Sequence, residues 1–350
     1  MQVCMFGATH TGDSAFAARY IASYLGQEGA RLRAANHGCE WELRHLKTQF
    51  DLGQYAAPFY SPRDEHSIED CIGHYPIVIN CVGNYYETGS VLPTRRGPSW
   101  SSLSNINYSF EEVHVDVARR LARVAKEKGC HTFIHVSSTL ADLNSPSRWA
   151  RTRAEGELAV REEFPDATIV RAAPMFGHED RFLNWFAHSA LYFQGFIPIV
   201  EDGEALVQPV FVQDVAKAVV KICRQSLQGF PEENLYKGKT FELFGPADYT
   251  RKELAEFTYD ITKQIVTLVD TPAFAANLAA RLIQQLPLPH LTVDDVALSQ
   301  ITTLPNPDNK ELLDFNTLNI NTTPIEKIAF SYLHRFRAGG HFALKGGYHE

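Results

Sequence analysis

Apolar and polar positions fall into two kinds of block along the first half of the chain. Short apolar runs at residues 3–6, 31–35, 58–60, 77–82, 132–136 and 168–170 predict strands. Most are rich in Val, Ile or Phe and bounded by Gly, Pro or charged residues, the signature of strands buried on both faces. Longer stretches whose apolar residues recur every three or four positions predict helices at 15–25, 64–73, 110–128 and 148–163, with a short helical piece at 45–47. Gly26 or Gly29 closes the first of these helices and Gly129 follows the third, as expected of left-handed C-terminal caps.

Short strands alternating with longer helices predict βαβ units and a parallel sheet. With right-handed crossovers, the economical topology is a doubly wound, Rossmann-type α/β sheet. Residues 1–180 are read as this domain. Residues 181–350 lose the strict alternation and are read as a smaller mixed lobe at the C-terminal edge of the sheet, with sheet-completing segments and interface helices. Residues 89–105 (GSVLPTRRGPSWSSLSN) interrupt the first domain. They suit either a plain surface insertion or a partner-binding loop anchored by Trp100. Residues 272–291 (PAFAANLAARLIQQLPLPHL) read as a short amphipathic helix followed by a Pro-spaced apolar tail. That segment is too short to span a bilayer. It suits contact with membrane-surface lipids or a partner, or packing on its own lobe.

Composition narrows the class. A net charge of −8 argues against nucleic acid as a partner, since such proteins carry a basic footprint. No run reaches the roughly 20 apolar residues that cross a bilayer. The six cysteines are scattered without CxxC spacing, which argues against a disulfide framework and against a zinc site. Met1 leads directly into the apolar run VCMFG, so no signal or transit peptide is visible. A cytosolic protein and a mature organellar chain both fit. The fourteen histidines form no HExxH motif. His131 and His135 share a strand face and read as structural. The carboxylate pairs Glu162–Glu163 and Asp294–Asp295 read as solvated charges.

The chemistry of such a sheet lies at the turn after its first strand, here GATHTGDSAFAARY from residue 7. Gly7 suits the tight turn, and the following helix N-terminus offers amide donors to a pyrophosphate. Only Gly7 and Gly12 remain of a GxxGxxG pattern, with His10 at its second glycine. On a second alignment, Ala15 and Ala18 replace the later glycines. The turn either still holds a dinucleotide or merely closes the fold. At the end of the second strand no acid stands before Glu40, which leans away from NAD. His37, with Arg33 nearby, offers a partner to the 2′-phosphate of NADP. Short-chain dehydrogenases use a Tyr of YxxxK as proton donor, with a Lys one turn on and a Ser after the fifth strand. Here FIHVSS supplies Ser137 and Ser138, but Trp149 stands at the Tyr position and Arg153 at the Lys position. Indole only donates its N–H, and Arg stays charged, so hydride transfer by the usual route is not expected. The alternatives are an NADP-dependent reductase or epimerase using an unconventional acid such as Ser138 or Tyr85, and a soluble NADP-sensing regulator.

Several ordered blocks carry a family resemblance: GAT at 7–9, DLGQ at 51–54, FIHVSS at 133–138 and SRWARTRAEGE at 147–157. FGHEDRFLN at 176–184, QPVFVQDVAKAV at 208–219, GKTFELFGP at 238–246 and TTPIEKI at 322–328 complete the set. The chain resembles the atypical short-chain dehydrogenase-like accessory subunits of mitochondrial NADH:ubiquinone oxidoreductase, the complex I alpha subcomplex subunit 9 family. That resemblance implies a non-catalytic peripheral subunit on the matrix side of the inner membrane, where the hydrophilic and membrane arms meet. It implies other complex I subunits as partners and a structural NADPH. By position, that nucleotide would touch Gly7, Ala8, Thr9, His37, Val82, Gly83, Ser137 and Arg153. The chain departs from the family pattern in its glycine loop, at His37 in place of a 2′-phosphate Arg, at Ser61 in place of an adenine-reading acid, and at Trp149 and Arg153.

Overall fold

The computed structural model describes residues 1–9, 13–38, 40–87, 108–193, 195–228, 235–284, 291–305 and 312–337. Gly12, the 89–105 insertion and the Leu286–Pro289 part of the apolar tail lie outside them. The first half folds as β1 (Gln2–Phe6), α1 (Asp13–Gln27), β2 (Arg31–Ala35), α2 (Glu40–Lys47), β3 (Tyr55–Ala56), α3 (Glu65–Ile72) and β4 (Ile77–Asn80). It continues through a π turn (Glu112–Asp116) into α4 (Val117–Glu127), then β5 (Thr132–Ser138), α5 (Arg148–Glu163) and β6 (Thr168–Ala172). The second half contributes β7 (Met175–Phe176), α6 (Leu183–Tyr192), β8 (Phe196–Val200), β9 (Leu206–Val207), β10 (Val210–Phe211) and α7 (Val212–Gln228). It ends with β11 (Thr240–Leu243), β12 (Tyr249–Thr250), α8 (Arg251–Thr262), β13 (Thr267–Thr271), α9 (Ala273–Ile283), α10 (Val293–Ser299), β14 (Leu312–Leu313) and α11 (Ile325–Leu333).

Eight strands form one parallel sheet in the order β14-β11-β6-β5-β4-β1-β2-β3. Successive strand residues face opposite cores, as a period of two requires. Val3, Met5, Ile77, Ile79, Ile134 and Val136 join the core beneath α1 and α7. Cys4, Phe6, Val78 and Phe133 join the one beneath α3 and α4. Burial on both faces explains why the strands read as continuous apolar runs. The sheet-completing role of the second half falls to β11 and β14.

Two predicted elements shifted. The expected strand at 58–60 pairs only through the bridge Asn36–Phe59, and β3 forms earlier, at Tyr55–Ala56. Pro58 has no N–H to donate, although its carbonyl accepts from Asn36 at 2.8 Å. The predicted helix at 110–128 contains the π turn, where Gly156 of α5 approaches so closely that a Cβ would lie 2.2 Å from the His114 carbonyl oxygen.

The smaller lobe gathers α6, α8, α9, α10 and α11 around the β8–β13 and β9–β12 pairs. The buried Asp180 fastens it to the sheet. Its carboxylate accepts backbone N–H groups from Gly177, Phe182 and Asn184 at 2.9–3.0 Å and the Tyr332 hydroxyl at 2.8 Å. Burial outweighs these donors and raises its pKa to about 6. Asp294 and Asp295 are not the solvated charges expected. Asp294 accepts the Ser147 hydroxyl at 2.6 Å and the Trp149 N–H at 3.2 Å, so α10 caps the start of α5. Asp295 closes a capping box with Thr292 at the start of α10. Both are drawn in by unsatisfied N–H groups at a helix start.

Candidate functional site

In a doubly wound sheet the binding crevice opens where the strand order reverses, here between the C-terminal ends of β1 and β4. Gly7 makes that turn with φ +94°, and any Cβ there would lie 2.3 Å from the Cys81 carbonyl oxygen. Ala8 and Thr9 follow it, both buried. Across the crevice, the Asn80 side chain accepts the Val82 N–H at 2.9 Å, and Val82 and Gly83 are buried beside the turn. The backbone therefore forms a cradle with no side chain at its closest point, which fits the diphosphate of a dinucleotide.

The 2′-phosphate end fits less well. His37 sits between the Tyr60 and Tyr108 rings, each 5.8 Å away, and burial lowers its pKa. It is neutral near pH 7 and brings no full charge to a phosphate. Arg33 is turned away: its Nη1 donates to the Asp70 and Cys71 carbonyls at 3.0 and 3.3 Å, and its guanidinium lies 5.0 Å from the Tyr75 ring centre. Ser61 is held by its own turn, its N–H donating to Ser67 Oγ at 3.0 Å.

At the catalytic end, α5 carries both replaced residues into the core. Trp149 packs with Phe110 and Ala150, and its only donor, the indole N–H, is given to the Asn84 carbonyl at 2.9 Å. The same carbonyl lies 3.0 Å from His114 Nε2, while His114 Nδ1 lies 2.9 Å from Thr152 Oγ1. Arg153 is buried against the face of Trp149, and its Nη1 donates to the Val136 carbonyl at 3.3 Å. Burial and the Arg153 charge together push the His135 pKa down to about 3 and that of His114 well below its usual value. His135 Nδ1 is 3.1 Å from the Asn80 amide nitrogen, in keeping with a structural histidine, whereas His131 is exposed just before β5.

The Ser137 hydroxyl is committed to Glu157 at 2.5 Å, and that buried carboxylate is also clasped by Arg171, which reaches Glu242 at 3.1 Å on its other side. Ser138 Oγ accepts the Leu140 N–H at 3.2 Å, and the Tyr85 ring lies under the Arg181 guanidinium at 3.2 Å. The Ser137 hydroxyl and the Trp149 indole N–H are thus tied into structural contacts, held by Glu157 and by the Asn84 carbonyl, and Asn84 stands in no recognisable motif. Ser137, Ser138, Trp149 and Arg153 form one wall of a cavity of about 340 Å³ between the lobes. Tyr85 and Arg181 also line it.

The sheet order, the glycine turn and the cavity define the extended short-chain dehydrogenase/reductase fold. The NAD⁺ complex of the enzyme WbmH from Bordetella bronchiseptica superposes with a TM-score of 0.61, covering 95% of this chain and 97% of that one at 14% identity. No protein-family model matches the chain. Its similarity to curated proteins is more specific. It is 34% identical over 341 residues to NADH dehydrogenase [ubiquinone] 1 alpha subcomplex subunit 9, mitochondrial, of Arabidopsis thaliana, covering 95% of this chain and 78% of the relative. It is 31% identical over 340 residues to the NADH-ubiquinone oxidoreductase 40 kDa mitochondrial subunit of Neurospora crassa, covering 96% and 81%. The chain belongs to the family of NADH dehydrogenase [ubiquinone] alpha subcomplex subunit 9.

Proposed function

We propose that the chain is a non-catalytic accessory subunit of respiratory complex I, bound peripherally on the matrix side of the mitochondrial inner membrane. Family membership along almost the whole chain supports the assembly. The observation that supports the loss of catalysis is the Trp149 indole, which replaces a phenol and spends its N–H on the Asn84 carbonyl. Arg153 carries a fixed charge that acts on His114, His135 and Cys81 rather than on a phenol at position 149. Residues 7–9, Val82, Gly83 and Arg153 would hold a dinucleotide in the crevice, which would stabilise the fold by mass action. When bound it would supply hydride chemistry, as in enzymes of this fold; at the position of their acid tyrosine stands Trp149, whose indole N–H is given to the Asn84 carbonyl.

The outer stripe of α9 is the part we place against the membrane surface. Phe274, Leu278 and Leu282 are 77%, 63% and 68% exposed, with Arg281 beside them. An apolar face flanked by a cation suits an interface with anionic lipid. The described residues contain no helix long and apolar enough to cross a membrane.

The assembly is tested by tagging the chain at its native locus and resolving detergent-solubilised mitochondria on native gels. It is expected to migrate with the NADH dehydrogenase band. Its consistent absence from an otherwise assembled complex would overturn the proposal. Mixing the purified chain with phosphatidylglycerol vesicles tests α9: wild type is expected to float with them and the Leu278→Glu, Leu282→Glu variant to remain behind. Equal flotation would refute that contact.

A further inference from the structure

The inter-lobe cavity has a wall opposite Ser137 and Arg153 that the nucleotide crevice does not explain. Trp185, Phe186, Phe193, Ile199, Ile283 and Val296 line it. Apart from the Trp185 indole N–H, these side chains carry no hydrogen-bonding group for a sugar hydroxyl, so an aliphatic surface matches that wall better. The cavity volume of about 340 Å³ lies within the roughly 300–1,000 Å³ of small-molecule sites.

Three arginines line the cavity: Arg153 lies over the Trp149 ring, Arg181 over the Tyr85 ring, and the third is Arg251. Arg251, the first residue of α8, donates from Nη2 to the Leu298 carbonyl at 3.2 Å, while its buried Nε has no hydrogen-bond partner. It makes no ion pair among the described residues. Burial lowers its pKa to about 10, partly offset by Asp295, so it remains charged at neutral pH. Asp294 and Asp295 also line the cavity, but neither forms an ion pair with Arg251 among the described residues, and a ligand that brings an anion within hydrogen-bond reach relieves a desolvated cation. Helix α9 separates the cavity from the outside, with Ala275, Ala279 and Ile283 lining the cavity and the stripe of Phe274, Leu278 and Leu282 facing outward. The two small alanines leave room beneath an otherwise apolar helix.

We propose that this cavity binds a single long-chain amphiphile, its anionic head on Arg251 and its aliphatic chain along α6 and α9. The cavity meets the dinucleotide crevice at Ser137 and Arg153 and extends from there to α9, and binding along α9 does not depend on assembly into the complex. A carboxylate and a phosphate head share the required chemistry.

The test uses the purified full-length chain with fluorescent dansyl-undecanoic acid as the bound probe. Dodecanoate, dodecyl phosphate and dodecanol serve as competitors. Wild type is expected to bind the probe. Dodecanoate or dodecyl phosphate should displace it about tenfold more effectively than dodecanol, as one charge-assisted hydrogen bond would produce. Whichever acid displaces better identifies the head group. Arg251→Gln should erase the difference between acid and alcohol, Arg251→Lys should retain it, and Ala275→Trp should abolish probe binding without lowering the melting midpoint. Failure of wild type to bind the probe, equal competition by acid and alcohol, or a preference that survives Arg251→Gln would each overturn the proposal.

Discussion

Lowering the pH from 7 to 5 is expected to destabilise the folded protein, and the loss can be assigned to named groups. His135 and His114 are both buried, and burial and Arg153 hold their folded pKa values below the ordinary one, to about 3 for His135. In the unfolded chain both titrate near 6.5. Their contribution is therefore fully present above that value and is lost as the pH falls, because only the unfolded state takes up protons. Down to pH 5 His135 accounts for about 2 kcal/mol, and His114 adds to the loss in the same direction. Asp180 acts in the opposite sense: its folded pKa is raised to about 6, so the native state gains a proton first and recovers about 1 kcal/mol over the same range. His37, lowered by burial, adds to the loss. Urea unfolding followed by tryptophan fluorescence at the two pH values, at fixed ionic strength, measures the difference. His135→Gln keeps an acceptor for Asn80 and removes one titration, so its pH 7 to 5 difference should shrink by about 2 kcal/mol. A wild-type stability that is flat or rises on acidification, or a variant with the full wild-type dependence, would refute the reasoning.

Three further outcomes are expected. Asp294→Ala removes the acceptor for the Ser147 hydroxyl and the Trp149 N–H and should cost about 2 kcal/mol in urea unfolding, with the loss of an α5 cap as its cause. Arg171→Met strands the buried Glu157 carboxylate and should cost about 3 kcal/mol, and adding Glu157→Gln should recover much of that loss in a double-mutant cycle. NADH and NADPH, added separately to nucleotide-free protein, should raise the melting midpoint by similar amounts, since neither His37 nor Arg33 offers a free charge to the 2′-phosphate; a shift confined to NADPH would show that another cation takes that role.

The parallel sheet was legible because its strands are buried on both faces. Runs such as Ile77–Asn80 carry that burial openly, and α5 ended where its pattern said it would, at Glu163. β3 was misplaced because an apolar run containing Pro58 looks like a strand while lacking a donor for the ladder. The π turn at His114 was hidden because apolar spacing alone does not distinguish one wide turn from ordinary helix. The spacing alone singled out Trp149 and Arg153, and both are buried on α5. What Trp149 does was not legible, because its partner Asn84 stands in a loop and the cap on its helix comes from Asp294, far along the chain. Asp294 and Asp295 read as solvated for the same reason: a carboxylate paired with a remote helix N-terminus looks like any surface charge. Arg251 left no signal beyond the capping box of Thr250 and Glu253 that starts its helix.

Arg153 connects these observations. Its guanidinium lies in the core, against the Trp149 face and the Val136 carbonyl, and its charge reaches His114, His135 and Cys81. In a working enzyme of this fold, a Lys at that position lowers the pKa of a phenol. Here the same positive charge, with no phenol to act on, lowers the proton affinity of two core histidines instead. The electrostatics of an active site thereby become a stability term. An anionic nucleotide placed beside Arg153 would offset that charge and raise both histidine pKa values. Occupancy of the crevice and acid sensitivity of the fold are then linked through one residue.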